Sequence, residues 1–503
     1  MPSRLPDPAR PGMRREHGHH QVIIVGGGPT GMLLAAELAI AGVDVALVER
    51  RTAPGQPGTR ALGLMPRAIE TLDLRGIGDR FVAAGQTYPS LNFHVPLDIS
   101  GFPTRRNYLL GLPQNEVEAL LDAWIRPMPI AFRHGRRATA VVAHDGGARV
   151  TLDDGSALTA EYVVGCDGGR SLVRKSAGIA FEGWPASTSW ITAELKARMD
   201  VPLGFHVDQA GQQHVIVPGD TAGYLRLVLV EHAPDLAREP DLDAVRRSLR
   251  RAYGADFGVH DPVWLSRFTD MARQATTYRA GRMLIAGDAA HVHAPLGGQG
   301  LGIGLQDAMN LGWKLARVVR GQCPEALLDT YTAERHPVAA RVLQNTMALS
   351  ALRCPDPHAQ ALARYVSEYL RLAEPGMLMA AELSGLGTAY AQEGGHLLAG
   401  RRMPDAPLQA ASGPRHAYDL LHAGRPVLLH LDTSPAPSLQ GWQDRVTRVS
   451  ARLAAPLVLP VIGEVETPAC ILVRPDGYVA WAGDPQASEL GSALAAWFGP
   501  AAP

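Results

Sequence analysis

Cysteine is scarce in this chain: there are four in 503 residues, at positions 166, 323, 354 and 470, too scattered for a CxxC pair or a metal-ligand spacing. That scarcity excludes a disulfide-stapled secreted module and fits free, structural thiols in a reducing cytoplasm. Net charge is nearly absent too. At −1, with a pI near 7.0, the chain has no global field that would draw nucleic acid. No stretch reaches about 18 uninterrupted apolar residues, so no transmembrane helix is expected. Residues 1–20, rich in Pro, Arg and His, lack the apolar run of a signal peptide and read as a flexible leader.

What is present is an ordinary globular composition, 46% hydrophobic and 19% charged, in a chain long enough for two or three domains. QVIIV at 21–25 is a short apolar run ending in glycines, the pattern of a strand buried on both faces. GGGPTG at 26–31 opens a helical stretch that stops at Gly42, and 43–48 is a second apolar strand ending in Glu49. Strand, tight turn, helix, strand is a dinucleotide-binding unit. Its glycines let the backbone approach a pyrophosphate, and the helix N-terminus supplies free amides and partial positive charge. Glu49 is placed to accept hydrogen bonds from ribose hydroxyls.

Helix-like spacing recurs at 71–81 and more clearly at 116–125, and 141–152 and 160–165 read as strands divided by Asp-Gly turns. Between 181 and 279 the texture turns to β-type runs, read as an inserted, mainly antiparallel sheet able to wall off a substrate cavity. A buried strand at 282–286 and an amphipathic helix at 304–319 return to the first pattern, so the nucleotide domain is discontinuous. Residues 394–415, rich in Gly and Pro, read as a linker. After them VLLHLD, a helical segment, LVLPVIG and a hairpin turned by Pro475-Asp476-Gly477 suggest a thioredoxin-like fold without its CxxC pair. The expected class is α/β: a Rossmann-like domain at 21–180 and 280–345, a sheet domain at 181–279, a helical connection at 346–395 and a thioredoxin-like domain at 396–503.

FAD and NAD both satisfy the first unit, and GDAAH at 287–291 with PLGGQGL at 295–301 favours FAD. Asp288 follows a buried strand among small residues, which leaves its carboxylate free for a hydroxylated chain such as ribityl. Gly297, Gly298 and Gly300 free the backbone to lie against a flat ring. The helix beginning near Gly302 aims its positive end there, where it would stabilise the negative N1 and O2 edge of a reduced flavin.

With GGGPTG at Gly26, CDGGRSLVR at Cys166 and GRMLIAGDAAHVHAPLGGQGLGIGLQDAMNLGWKLA at Gly281, the chain resembles the class A FAD-dependent aromatic hydroxylases. These are the p-hydroxybenzoate hydroxylase family, and the likeness is to its aromatic polyketide hydroxylase and rifampicin monooxygenase-like branch. The likeness covers about residues 20–350. It implies that Gly28, Pro29, Thr30 and Gly31 meet the FAD pyrophosphate, that Glu49, with Arg50 beside it, meets the adenosine ribose, and that Arg60 reaches the phosphates. It further implies that Gln114 contacts FAD and that Asp167 serves both FAD and the nicotinamide cofactor. Asp288 would hold the ribityl chain or phosphates, and the backbone of Gly298, Gly300, Leu301 and Gly302 would line the isoalloxazine edge. The family usually has Asn where this chain has Gly302. The implied chemistry is reduction of FAD by NADPH or NADH, reaction with O2, and oxygen transfer from a flavin C4a-hydroperoxide to an electron-rich ring. Pro295 matches the proline beside the peroxide site, and no protein general base is identified. The implied partner is a polycyclic aromatic small molecule, met in the cytoplasm by a monomer or homodimer, with no nucleic acid, membrane or metal.

Some residues stay open. His291 and His293 invite a metal reading, but without a carboxylate or cysteine cluster a hydrogen-bonded pair is favoured. Trp190, Phe205, Tyr224 and Trp264 offer stacking surfaces for a planar substrate, though strand aromatics are more often core. Arg133, Arg136 and Arg137 read as a solvated strand end. Baeyer-Villiger oxygenation, oxidative inactivation of an antibiotic and a non-catalytic, ligand-sequestering flavoprotein are the competing functions. Halogenation is disfavoured because WxWxIP is absent.

Overall fold

The apolar run at 21–25 becomes the strand His19–Val25, inside an eight-stranded sheet. The computed structural model describes residues 18–55, 61–219, 221–231, 238–354, 356–392, 395–484 and 488–502. On either side of His19–Val25 run Val45–Glu49 and Ala157–Gly165, both parallel to it, and beyond them Ile130–His134 and Met283–Ile285. The central stretches of these strands, 22–25, 45–48, 162–164 and 283–285, are apolar and buried, and each fully buried Val, Leu or Ile contributes roughly 1.5–3 kcal/mol. Helix α1 (Pro29–Ile40) starts on a proline whose missing N–H costs nothing at that position. The Asp-Gly turns expected between strands are present at Gly146 and Gly155, both with positive φ. The helix expected over 71–81 is in fact two: α2 (Pro66–Asp73) ends, the chain turns through Gly76 at φ 68°, and a second helix begins at Gly78.

The inserted region is a five-stranded antiparallel sheet in the order Gly204–Val207, Gln213–Pro218, Leu225–Glu231, Ser189–Lys196, His260–Thr269. It carries a helix the sequence reading missed, α3 (Leu242–Tyr253), capped by Asp241 accepting the Ala244 N–H at 2.8 Å and ended by Gly254. Val245 and Leu249 of α3 pack on Ile191, Ala193, Leu195 and Leu227. Because side chains alternate across a strand, Trp190, Thr192 and Glu194 then point to the opposite face, which α3 leaves uncovered.

Helix α4 (Gly300–Val319) is buried along almost its whole length and lies against α1, so closely that a Cβ on Gly312 would stand 2.5 Å from Glu37 Cβ. After it comes α5 (Asp329–Leu352), which holds Pro337 in its interior, and then the helices Pro357–Leu370 and Ala373–Ser384. Among the described residues no helix is long and apolar enough to cross a membrane.

The C-terminal region forms a six-stranded sheet. Two expectations fail here. Between Val427–His430 and Leu457–Leu459 the described residues hold no α-helix; a strand, Thr447–Leu453, pairs parallel with the first. Residues 394–415 are not a free linker: Pro407–Ala410 and Gly413–His416 join the sheet, and Arg402 and Met403 are buried. The hairpin of Cys470–Val473 and Val479–Gly483 turns at Pro475-Asp476-Gly477 as expected. Its tip is not at the surface, however. Arg474 and Asp476 are each 2% exposed, and a Cβ on Gly477 would stand 2.9 Å from Leu74, just past the end of α2.

Candidate active site

The GGGPTG turn tolerates little else at its ends. A Cβ on Gly26 would stand 2.2 Å from the Cys166 carbonyl oxygen, and one on Gly31 would stand 1.9 Å from that of Gly26. Gly28, which caps α1, is different: nothing lies within 4 Å of its missing Cβ. Open space therefore fronts a helix N-terminus whose Thr30 and Gly31 amides have no intrahelical acceptor. This is a seat for an anion.

Glu49, at the end of its strand, is buried and occupied. Its carboxylate accepts the Gly27 N–H at 2.6 Å, the Arg51 N–H at 2.8 Å and Arg51 Nε at 3.0 Å. Arg51 also donates to Glu118 at 2.8 Å, and Glu118 accepts Gln114 Nε2 at 3.0 Å. Burial alone would lower the Arg51 pKa, but Glu118 and Glu49 outweigh it and raise it. Gln114 and Glu49 are thus tied together through Arg51, a residue sequence reasoning passed over in favour of its neighbour. Arg50 is exposed, and Arg60 lies outside the described residues. Gly27, Glu49, Arg51, Phe132 and His134 line one small cleft.

The third motif folds directly onto the first. Gly287 (φ 61°) and Gly304 would each push a Cβ to within 2.7 and 2.5 Å of Thr30 Oγ1. Asp288 projects from this contact, exposed and without a hydrogen-bond partner among the described residues. Behind the turn, fully buried Asp307 accepts the Gly287 N–H at 3.1 Å, pairs with His291 Nε2 at 2.7 Å and accepts Arg335 Nε at 2.7 Å. Burial would raise the Asp307 pKa, yet His291 and Arg335 together hold it below the usual range. His293 turns elsewhere, donating from Nδ1 to the Ala294 carbonyl at 2.7 Å, and burial lowers its pKa and keeps it neutral. The two imidazoles thus serve different partners, and among the described residues no group of three or more metal-type ligands forms. Asp307 and Arg335 were not singled out from sequence; Asp307 as the lone carboxylate of the 304–319 helix was the available signal.

Gly297 and Gly298 both have positive φ, and α4 then begins with the N–H groups of Gly300, Leu301 and Gly302 free of intrahelical acceptors. At Gly302, where the family usually has Asn, a Cβ would stand 3.2 Å from Ala68 Cβ of α2, so a small residue suits the contact. Pro295 and Gly298 are exposed. In the second motif Asp167 accepts the Leu172 N–H at 2.6 Å through Oδ2, while its buried Oδ1 has no partner. Arg174, another residue missed, donates to the Ala289 and Gly169 carbonyls at 2.8 and 2.9 Å and so clamps the Asp167 loop to the Asp288 turn.

These features fit FAD: open space at Gly28, an uncompensated carboxylate at Asp288, an orphaned oxygen on Asp167 and two helix N-termini. On the five-stranded sheet, strand register puts Trp190, Phe205 and Trp264 on the face away from α3, with Tyr224 at its margin. Trp190 stacks on Phe268 at 5.3 Å, Trp264 donates to Glu194 at 3.3 Å, and Phe205 is 81% exposed. Arg136 pairs with Asp154 at 2.8 Å, whereas among the described residues Arg133 bonds only to the neighbouring Phe132 carbonyl.

Comparison with known proteins agrees with this geometry. Residues 19–346 match the FAD binding domain family, and residues 396–501 match the aromatic-ring hydroxylase C-terminal family. Rifampicin monooxygenase of Streptomyces venezuelae is 41% identical over 490 residues, covering 95% of this chain and 99% of that protein. The 12-dehydrotetracycline 5-monooxygenase/anhydrotetracycline 6-monooxygenase of Streptomyces rimosus is 39% identical, covering 96% and 99%. The solved anhydrotetracycline hydroxylase of Streptomyces rimosus superposes with a TM-score of 0.89, covering 96% of this chain and 100% of that one. The chain belongs to the FAD-dependent aromatic-ring hydroxylase family. It is a monooxygenase that uses FAD, a nicotinamide reductant and O2.

Proposed function

We propose that this enzyme hydroxylates an aromatic polyketide or a related polycyclic phenol, with NAD(P)H and O2 consumed and water formed alongside the hydroxylated ring. The observation that carries the reading is the packing of Gly287 and Gly304 on Thr30, because it brings the pyrophosphate turn and the Asp288 turn against one elongated ligand. The relatives named for rifampicin and tetracycline intermediates support a fused-ring substrate.

In this reading residues 21–180 and 280–345 form a Rossmann-like FAD domain, 181–279 the substrate sheet, 346–395 a helical connection and 396–503 a thioredoxin-like domain. Gly28, Pro29, Thr30 and Gly31 hold the pyrophosphate, with Arg60 near its phosphates, and Glu49, Gln114 and Arg51 hold the adenosine end. Asp288 takes the ribityl hydroxyls, Asp167 braces the same end, and the amides of Gly298, Gly300, Leu301 and Gly302 face the ring edge beside Pro295. Bound FAD would supply the electron transfer and the oxygen activation. The protein's own work is to hold that ring at a positive helix end, to offer an apolar, aromatic face to the substrate and to keep bulk water out. A phenol activates its own ortho and para carbons, most strongly once its hydroxyl has lost its proton.

The test is to purify the protein, record flavin absorbance and follow NADPH oxidation with a panel of polycyclic phenols under isotopic O2. A product carrying one labelled oxygen on the ring supports the proposal. A lactone would move it to Baeyer-Villiger chemistry, and an unchanged ligand with no NADPH consumption would leave a sequestering protein.

A further inference from the structure

Two neighbouring residues of α5 reach two different parts of the molecule. Arg335 reaches the Asp288 turn, because Asp307 accepts its Nε through Oδ1 at 2.7 Å and the Gly287 N–H through Oδ2 at 3.1 Å. Glu334 reaches the C-terminal sheet. Its carboxylate accepts Arg474 Nη1 at 2.5 Å and Nη2 at 2.9 Å, together with Lys314 Nζ at 2.7 Å. Arg474 sits at the hairpin tip and also binds Asp476, whose Oδ2 accepts Trp313 Nε1 at 3.1 Å.

A second link runs in parallel. Tyr478, beside the hairpin tip, stacks on Tyr390 with ring centroids 4.1 Å apart, and the Tyr390 hydroxyl accepts Arg335 Nη1 at 3.2 Å. The hairpin therefore holds Glu334 by charge and Arg335 through a phenol. Arg335, Asp307, Tyr390, Tyr478, Arg474, Asp476 and Lys314 are buried, and the Glu334 side chain is only 9% exposed, so water is a poor substitute partner and a displaced member leaves another polar group unsatisfied. Pro337, two residues further along α5, cannot donate to the Ala333 carbonyl, so the helix ladder is interrupted where these side chains leave it. Side-chain contacts take over the positioning at that point.

We infer that the hairpin tip of the C-terminal sheet is a positioning device for the cofactor site: Arg474 and Tyr478 fix Glu334 and Arg335, and Arg335 fixes, through Asp307, the turn that presents Asp288. The inference rests on Asp288 being an FAD ligand. In this reading the relay residues stand behind the turn and not in it, and their effect is on where one carboxylate stands. It also gives the C-terminal sheet, which lacks a CxxC pair, a task in the reaction that needs no redox chemistry of its own.

The test uses the full-length apoprotein titrated with FAD, following flavin fluorescence, alongside thermal unfolding of each apoprotein. Tyr390→Phe deletes only the hydroxyl that Arg335 uses, and Glu334→Gln keeps volume while removing charge. Each is expected to raise the FAD Kd roughly 3- to 30-fold and to shift the flavin absorption bands, while Arg335→Lys retains part of the affinity that Arg335→Met loses. Asp288→Ala reports on the underlying reading. If Asp288→Ala weakens FAD binding but Tyr390→Phe and Glu334→Gln bind with wild-type Kd and spectrum, the inference is overturned and the FAD reading stands, even if those apoproteins melt earlier. If Asp288→Ala itself leaves the Kd unchanged, the reading fails and takes the inference with it.

Discussion

Thr30 Oγ1 stands 2.7 Å from where a Cβ on Gly287 would sit, and this contact joins the first glycine motif to the third. Gly287→Ala therefore carries two penalties. A left-handed φ of 61° costs a non-glycine residue about 1–2 kcal/mol, and the overpacking adds roughly 1–3 kcal/mol. The variant is expected to lower unfolding free energy in urea by about 2–5 kcal/mol. Thr30→Ala in the same chain should recover the steric part and leave the backbone part, so a double-mutant cycle that shows no coupling would refute the contact.

Asp288 and Glu49 differ in a way that separates ligand binding from folding. Asp288 is exposed and has no hydrogen-bond partner among the described residues, so Asp288→Ala should leave the apoprotein's melting temperature unchanged while FAD is lost on gel filtration. Glu49 holds Gly27 and Arg51, and its removal leaves the buried Gly27 N–H without its acceptor and takes from Arg51 one of its two carboxylate partners. Glu49→Ala is expected to cost about 1–3 kcal/mol even without FAD. Equal apoprotein melting of the two variants would contradict this division.

The local rules were the legible ones. GGGPTG, the Asp-Gly turns and the buried parallel strands follow from glycine conformations and unbroken apolar runs, which act over a few residues. The misses share a different cause. Residues 71–81 keep a helical spacing that Gly76 interrupts, and α3 hides its apolar positions 242, 245 and 249 between arginines. Residues 394–415 look like a linker by composition, yet Arg402 is buried there by pairing with Glu70 at 3.1 Å. Long-range pairing of that kind leaves no trace in neighbouring residues. The same limit hid Arg51, Asp307, Arg335 and Arg174, whose roles depend on partners far along the chain.

Acid should report on the buried ion pairs. Asp307 and Glu334 both have carboxyl pKa values held down by their cationic neighbours, despite burial. The unfolded chain takes up protons near pH 4, where the folded one does not. Their stabilisation is thus complete above that range and is lost as pH falls through the depressed folded values, at up to about 1.4 kcal/mol per pH unit for each group. Asp307→Asn removes one titrating group. Its stability should sit below wild type at pH 7, and the gap should narrow as pH falls below about 4. A gap that stays constant into acid would show that Asp307 is not ionised by its partners.

Trp190 tests which face of the five-stranded sheet receives the substrate. Alternation puts Ile191 under α3 and Trp190 on the other face, stacked on Phe268 at 5.3 Å. An aromatic contact is worth about 0.5–1.5 kcal/mol beyond its buried area, so Trp190→Ala should raise KM for a fused-ring phenol roughly 3- to 10-fold. FAD affinity should stay at the wild-type value, because none of the residues that form the Gly28 or Asp288 turns contacts this sheet face in the hydrogen-bond network described above. Val245→Ala, under α3, supplies the contrast, with lower stability and unchanged KM. Were Val245→Ala to move KM and Trp190→Ala to leave it alone, the substrate would have to approach the α3 side, and the aromatic face would be ordinary packing surface.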